Sequence, residues 1–443
     1  MRIPPKTSVE TNGRATKRIA GWIIASVSVV PVAAGAQEST ESPFSFSGFG
    51  TVGLVRQIGA DGLGFGRNTT QVGAGSRLSA QPDSRLGGQV NWNGGGRWEG
   101  AVQGVLLPNP HGAPAQEILQ QGYLGYRPLP DTRFRLGRIS PDVFLYSDSR
   151  NVGYALPFAR PPVDFYGFAP LASVDGVDLD QRWKVGGSTW RARATAGWFR
   201  TSVVSASSAT RVELRGRQAL SASLSHERDG LLLKLSYLRG HVDAQTGNAV
   251  ADLRQALDGL RALPVPGIGQ RIDALGRNFG FSGDASYLGL AAQYERGPWT
   301  LVAEGSRMMV PDSPLSARRG YASLGWRNGS VNYFGFASRV KPDQARTVTP
   351  DLAKSLAPVI GPNAAQQAQM LAGIATSVSN SLRYDQSTVG AGIRWDFAPN
   401  AALTFQVDRF DIRQDGGAAW RGYQGQAVKG TLVTLLVDFV WGQ

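Results

Sequence analysis

From Arg85 to Asn93 the even positions carry Leu86, Gly88, Val90 and Trp92, and the odd ones carry Arg85, Gly87, Gln89, Asn91 and Asn93. Apolar and polar residues therefore fall on opposite faces of an extended strand. The next segment repeats the pattern with Trp98, Val102, Gly104 and Leu106 on one face and Arg97, Glu99 and Gln103 on the other, across the turn Asn93-Gly94-Gly95-Gly96. This is the signature of a β-hairpin. The two-residue period recurs to the end of the chain, whereas helical periodicity rarely starts. Gly makes up 56 of 443 residues and only 18% are charged, against the usual ~7% Gly and ~25% charge.

Sixteen segments of this kind follow one another, at 44–56, 84–93, 97–107, 116–127, 133–140, 174–184, 189–200, 216–228, 231–241, 284–296, 299–310, 318–327, 330–341, 384–397, 401–413 and 430–441. The alternation is weakest at 116–127, 216–228 and 330–341. Short connections follow the even-numbered segments (Gly94 to Gly96, Pro128 to Thr132, Val185 to Ser188, Asp229-Gly230, Gly297-Pro298, Asn328-Gly329, Ala398 to Asn400), and long ones follow the odd-numbered segments. Such strict alternation predicts an all-β fold, a 16-stranded antiparallel transmembrane β-barrel with short periplasmic turns, long extracellular loops and both termini on the periplasmic side. A closed sheet satisfies every backbone N–H and C=O inside hydrocarbon.

Tryptophan placement points the same way. Trp92, Trp98, Trp183, Trp190, Trp299, Trp326, Trp395 and Trp441 all lie near a short turn or the C-terminus, as an interfacial girdle requires. A soluble exported β-sandwich or propeller would scatter them through its core. The faces turned inward are polar or small: Arg133 and Arg135; Asp178, Asp180 and Arg182; Arg191, Arg193 and Thr195; Glu304 and Ser306; Thr388, Arg394 and Asp396; Gln406 and Asp408. Sixteen strands enclose more space than side chains fill, so this lining predicts an aqueous channel.

The N-terminus reads as a secretory signal, with Arg14, Lys17 and Arg18 before the apolar run Ile19 to Val30 and an Ala34-Gly35-Ala36 cleavage site. The run is shorter than the ~20 residues a spanning helix needs. The expected organisation is a cleaved signal peptide at 1–36, a short periplasmic segment at 37–43 and the barrel at 44–443. The formal charge of +13 becomes +9 once the five basic residues and one acidic residue of the leader are removed. Basic residues are scattered singly, which argues against a nucleic-acid partner. The chain has no Cys, which excludes disulfides and thiolate chemistry, and its three His (His111, His226, His241) lie singly without metal-ligand spacing. No cofactor is expected.

The connection Ser140 to Ser173 is rich in Phe, Tyr, Pro and charge, a composition unsuited to a free loop. Folded inward, its aromatics would pack on the wall. Asp148, Arg150, Arg160 and Asp164 would then either face the lumen or pair with one another and pin the loop. Two other long connections have helical stripes. Leu253, Leu257 and Leu260 share a face in Asp252 to Leu263, and Ala364, Ala368, Leu371 and Val378 share one in Ala364 to Val378. Both stripes fit packing at the barrel rim better than gating.

The opening strand Phe44-Ser45-Phe46-Ser47-Gly48-Phe49-Gly50, the run Arg135-Leu136-Gly137-Arg138 leading into Asp148-Ser149-Arg150-Asn151-Val152-Gly153-Tyr154, then Arg160-Pro161-Pro162 and Val174-Asp175-Gly176-Val177-Asp178-Leu179, resemble the Gram-negative porin superfamily. The likeness is segmental over 44 to 441, with its distinctive words between 133 and 180. It implies an outer-membrane homotrimer in membrane lipid whose third extracellular loop constricts the pore, with acidic loop residues facing basic wall residues. The expected constriction-loop residues are Asp142, Asp148, Arg150, Arg160, Asp164 and Tyr166, and the expected wall residues are Arg133, Arg135, Asp178, Arg191, Arg193 and Arg394. The chain departs from the family at its end, where Trp441 is followed by Gly442-Gln443 instead of closing on an aromatic residue.

Three functions fit the residues. The first is passive diffusion of small hydrophilic solutes and ions, with a mild anion preference from the arginines. The second is a porin specific for one nutrient class (sugar, carboxylate or aromatic acid), with Tyr146, Tyr154, Phe165 and Tyr166 as an aromatic slide. The third is a barrel hydrolase, for which the chain offers no G-x-S-x-G and no H-E-x-x-H.

Overall fold

The computed structural model describes residues 42–442 except 72, 75–77, 109–117, 169–172, 205–210, 246–247, 277–281 and 312. The expected signal peptide and His111 lie outside the described residues. Sixteen long antiparallel strands form the wall: β1 (Phe44–Ile58), β2 (Arg85–Asn93), β3 (Trp98–Leu106), β4 (Leu119–Leu129), β5 (Thr132–Ile139), β6 (Val174–Val185), β7 (Ser188–Val204), β8 (Arg211–Arg228), β9 (Leu231–Gln245), β10 (Ser282–Arg296), β11 (Trp299–Met309), β12 (Ala317–Asn328), β13 (Val331–Pro342), β14 (Tyr384–Ala398), β15 (Ala401–Gly417) and β16 (Val428–Gly442). Each pairs with the next, and β16 closes on β1 from Ser47↔Gly442 to Ile58↔Thr431. Two-residue ladders in the long connections join Gly64–Phe65 to Trp420–Arg421 and Leu78–Ser79 to β1.

The alternation separates two environments. Val52, Leu54, Leu86, Val102, Leu136, Val177, Leu290 and Leu435 are exposed on the outside, while Thr51, Arg85, Gln89, Gln103, Thr195, Thr434 and Asp438 are buried inside. Aromatic rings gather where the strands meet the short turns. Trp299 and Trp326 lie 6.4 Å apart between ring centroids, Trp326 and Tyr333 5.6 Å, and Trp183 stacks on Trp190 at 6.5 Å. At the closing seam Trp441 lies over Gly48 and Phe439 over Gly50, where an added Cβ would come within 2.2 and 2.3 Å of the rings. In the hairpin between β8 and β9, Asp229 and Gly230 both have positive φ, 50° and 80°, the backbone of the tight turn that matches strand twist.

The three weakly alternating segments have visible causes. Strand β8 carries a bulge between Arg217 and Leu220, which shifts the face that later residues present. Strand β4 slips register against β3 at Gln103/Gly104 and against β5 between Tyr126 and Leu129. Strand β13 turns Phe334 and Phe336 inward and Gly335, Ala337, Arg339 and Lys341 outward, reversing the usual polarity.

Four helices stand in two extracellular connections: α1 (Asn248–Arg261) and α2 (Ile268–Gly276) between β9 and β10, and α3 (Leu352–Ile360) and α4 (Pro362–Asn380) between β13 and β14. The two expected stripes fall on α1 and α4. All four helices share one apolar core of Leu253, Leu257, Ile268, Ile272, Leu275, Leu352, Leu356, Ala368, Ala372 and Ala375. The two connections thus make a single module, tied further by Ser379 Oγ donating to the Leu275 carbonyl at 2.7 Å. No helix among the described residues is long and apolar enough to cross a membrane.

Candidate functional site: the lumen and its inward loop

The connection from β5 to β6 lies inside the barrel. Its Val143, Phe144, Leu145, Tyr146, Leu156, Phe158 and Phe165 form one buried cluster with Tyr287, Val302, Tyr321, Phe334 and Phe336, which face inward from β10 to β13. Phe144 meets Tyr287 edge-on at 5.3 Å, and Phe165 meets Tyr321 likewise at 5.3 Å. The inward aromatics that blurred the pattern of β13 are the seat of this loop.

Buried polar contacts fix the loop along its length. Arg160, 1% exposed, ion-pairs with Asp83 and with Asp408 at 3.2 Å and donates to Thr434 Oγ1 at 2.6 Å. Asp164, fully buried, accepts from Ser338 (2.8 Å), Gln386 (2.7 Å) and Thr388 (3.0 Å). Burial pushes its carboxyl up to about 6, against those hydrogen bonds and the charge of Arg339. Glu304 of β11 accepts from the hydroxyls of Tyr166 and Tyr321 and from the Leu145 N–H at 3.0 Å. Arg394 donates to the carbonyls of Tyr154 (2.8 Å) and Leu156 (2.7 Å), with its guanidinium 4.9 Å from the Tyr154 ring centre. At Gly153 an added Cβ would fall 1.9 Å from Asp438 Oδ1, so the backbone itself touches the wall.

These contacts correct two expectations. Arg160 and Asp164 do not face the lumen, nor do they pair with each other; each is pinned to wall residues, because burying a charge inside the barrel requires a partner. The rings of Tyr146 and Phe165, 3% and 2% exposed, are packed between loop and wall and form no slide along an open passage. Tyr166 sits in the same packed cluster. Arg394, expected on the pore wall, anchors the loop.

The other wall residues form a charge lattice across β3 to β7. Arg135 donates to Asp178 through Nε at 2.8 Å, and Asp178 also receives Arg193 Nε (2.8 Å) and Thr195 Oγ1 (2.8 Å). Asp180 is shared between Arg133 (2.9 Å) and Arg191 (2.8 and 2.7 Å). Glu99 extends the lattice to Arg127 at 2.6 Å. The start of the loop joins it, since Arg193 reaches Asp148 at 3.4 Å and donates to the Ser140 carbonyl at 2.6 Å. Lys234 pairs with Asp142 and donates to the Phe144 carbonyl at 2.7 Å. Burial alone would raise the Asp142 carboxyl, but Lys234, followed by Arg193 and Arg191, holds it below the usual carboxylate range. The Arg150 guanidinium is lowered to about 10 by burial, and its carbonyl accepts from Arg67 at 2.6 Å. Two acidic residues of the loop thus pair directly with basic residues of the wall, Asp142 with Lys234 and Asp148 with Arg193, whereas Asp164 meets neutral donors.

Sequence reading missed Asp83 and Lys234. Lys234 was within reach, because in Leu233-Lys234-Leu235-Ser236 it holds the inward position of the alternation. Asp83 lies in a connection without period, and nothing local marks it.

The histidines are less isolated than expected. His226 rests against Trp190, centroids 4.6 Å apart. His241, at the extracellular end of β9, has Nδ1 2.9 Å from Asp284 and Nε2 3.5 Å from Ser282 Oγ. That order is the order of a hydrolytic triad. However, the Ser282 hydroxyl donates to Asp243 at 2.5 Å, and the Asp284 side chain is 90% exposed. The proton of the would-be nucleophile is committed elsewhere, and its base is oriented by a solvated group. No cluster of three potential metal ligands occurs among the described residues.

No protein-family model matches the chain, and no curated protein matches it in sequence. Solved structures match in fold. The anion-selective porin of Comamonas acidovorans superposes with a TM-score of 0.50 at 11% identity, covering 90% of this chain and 100% of its own. Salmonella typhi OmpF in complex with daunomycin gives 0.49 at 12% identity over 89% and 97%, and the DcaP channel of Acinetobacter baumannii gives 0.48 at 12% over 92% and 100%. The closed sixteen-strand wall with its apolar outer belt gives this chain a porin-like β-barrel fold.

Proposed function

We propose that the chain is an outer-membrane porin through which small hydrophilic solutes and ions diffuse passively, along a water-filled path narrowed by the Ser140 to Ser173 loop. The observation that carries this reading is the seating of that loop: aromatic against β10 to β13, ion-paired to β7 and β9, and tied on the other side through Arg160 to Asp408 of β15 and Thr434 of β16, so that it is held across the interior. A loop fastened this way narrows the barrel without closing its outer belt. The lattice of Arg133, Arg135, Asp178, Arg191 and Arg193, with Arg127 40% exposed at its edge, supports a mild anion preference. The porin resemblance carries a homotrimer with it.

The test is single-channel conductance of the refolded protein in planar bilayers. Ohmic channels without saturation by sugars or carboxylates are expected, together with a reversal potential of anion sign under a salt gradient. No conductance above the lipid background would overturn the channel, and clear cation preference would overturn its selectivity. Chemical cross-linking in mild detergent reads the trimer.

A further inference from the structure

The charges that face the interior differ in whether they are committed. At the loop, Asp142 is joined to Lys234 and Asp148 to Arg193, so opposite charges lie side by side instead of across the passage. Beside the short turns, Glu99 is held by Arg127 (2.6 Å) and Arg133 (3.5 Å), and Asp396 by Arg394 and Arg327 (both 2.8 Å). Four side chains at that same end behave otherwise. Arg182 and Lys184 take the inward positions of β6 that follow Asp178 and Asp180. Glu227 follows Ser223 and Ser225 on the inward face of β8, and Glu295 follows Gln293 on that of β10. Arg182, Lys184 and Glu227 are exposed and Glu295 is half-buried, and none of the four has an ion-pair partner among the described residues.

The strand register fixes where they stand. Lys184 is directly opposite Thr189 of β7, and Thr189 is directly opposite Glu227 of β8. At ~4.8 Å per strand the Lys184 and Glu227 backbones are about 10 Å apart. Their side chains narrow that gap without closing it, since no ion pair joins them. Arg182 lies one inward position deeper, directly opposite Arg191, and like charges so placed repel. Arg191 donates its Nε and Nη2 to Asp180 (2.8 and 2.7 Å), so that carboxylate is already taken. On the acidic side Glu227 is opposite Leu232 and Leu232 opposite Gln293, whose Nε2 donates to Glu295 Oε1 at 2.6 Å. A basic pair and an acidic pair thus flank the short neutral side chain of Thr189, and low-dielectric walls focus the field of such uncancelled charges.

We propose that these four residues form a filter at the periplasmic outlet that favours zwitterionic α-amino acids, with the solute carboxylate drawn to Arg182 and Lys184 and its ammonium to Glu227 and Glu295. The inference rests on the channel reading above and names a solute class for it. An ion of one sign is attracted on one side of Thr189 and repelled on the other, whereas a solute bearing both charges gains on both sides. Each contact is solvent-exposed and therefore weak, which lets the solute leave as readily as it enters.

Proteoliposomes holding the full chain are tested by osmotic swelling in L-alanine and in lactamide, an uncharged solute of nearly the same size. Swelling about fivefold faster in alanine is expected from two exposed charge contacts acting together. R182S/K184S and E227Q/E295Q, each removing one contact, are each expected to lower that ratio to about twofold. Should either double variant fail to fold, Lys184→Ser and Glu227→Gln singly decide the matter, each lowering the ratio below the wild-type value. Equal rates in the two solutes, or a ratio that the variants leave unchanged, overturns the filter and leaves the channel standing. A ratio lowered by R182S/K184S but not by E227Q/E295Q makes this a site for anions alone and also overturns it. Swelling in neither solute overturns the channel reading, and the filter with it.

Discussion

Two sets of long connections leave the same end of this barrel and are stabilised in opposite ways. The Ser140 to Ser173 loop has no core of its own. It depends on the wall for its aromatic seat, and its charges find partners outside it, Arg160 with Asp83 of the first long connection and Asp408 of β15, and Asp142 with Lys234 of β9. The helical module of α1 to α4 carries its own apolar core. A loop held by charge is fixed in place but vulnerable to single deletions, whereas a self-packed module tolerates change without disturbing what lies below it.

The sharpest way to break the contrast is Arg160→Ala, which strands Asp83 and Asp408 in the interior at about 3–5 kcal/mol. Release of the loop is expected, seen as a larger single-channel conductance and an earlier loss of the heat-modifiable band. Unchanged conductance would mean that the aromatic seat alone suffices. Leu356→Ala, a fully buried position in the module core, is expected to cost about 2–5 kcal/mol, yet only locally. Proteolysis should quicken within 246–281 and 343–383 while conductance stays as it was. Glu304→Gln weakens the hydrogen bonds from Tyr166, Tyr321 and the Leu145 N–H by about 1.5–3 kcal/mol in total, giving noisier open channels of nearly normal size.

The smallest effect is expected at Asp164 and depends on pH. Its carboxyl is raised to about 6 by burial, above an unfolded value of ~3.9. Its stabilising contribution is therefore complete below pH ~4 and lost as pH rises through about 6. Asp164→Asn, neutral throughout, should gain in thermal midpoint relative to wild type between pH 5 and pH 8, read by following unfolding at a series of pH values. A constant difference across that range would show that Asp164 does not titrate there.

The wall was legible because its cause is local. A strand between lipid and water must alternate, and tight turns must carry residues such as Asp229-Gly230, so all sixteen strands could be placed from the chain alone. The helices were half legible. The stripes of α1 and α4 repeat over several turns, whereas α2 spans nine residues beginning Ile268-Gly269 and α3 contains Pro358, too short or too interrupted for a period to show. The loop's charges were recognisable as important, but their partners were not. Arg160 meets residues 77 and 248 positions away, and only the closed barrel brings them together. Strand β13 was obscure for a different reason, since its inside serves the loop with Phe334 and Phe336 and its outside carries Gly335, Ala337, Arg339 and Lys341.

The seam between the first and last strands has a consequence for assembly. Trp441 and Phe439 reach across it and rest on the bare backbone of Gly48 and Gly50, so the cylinder is fastened by two rings seated in two gaps. Such a clasp engages only in one alignment: sliding either edge by a single residue turns the rings to the wrong side and leaves the gaps empty. Strand β16 thus acts as its own gauge, and the hoop latches only when all sixteen staves have been laid in order.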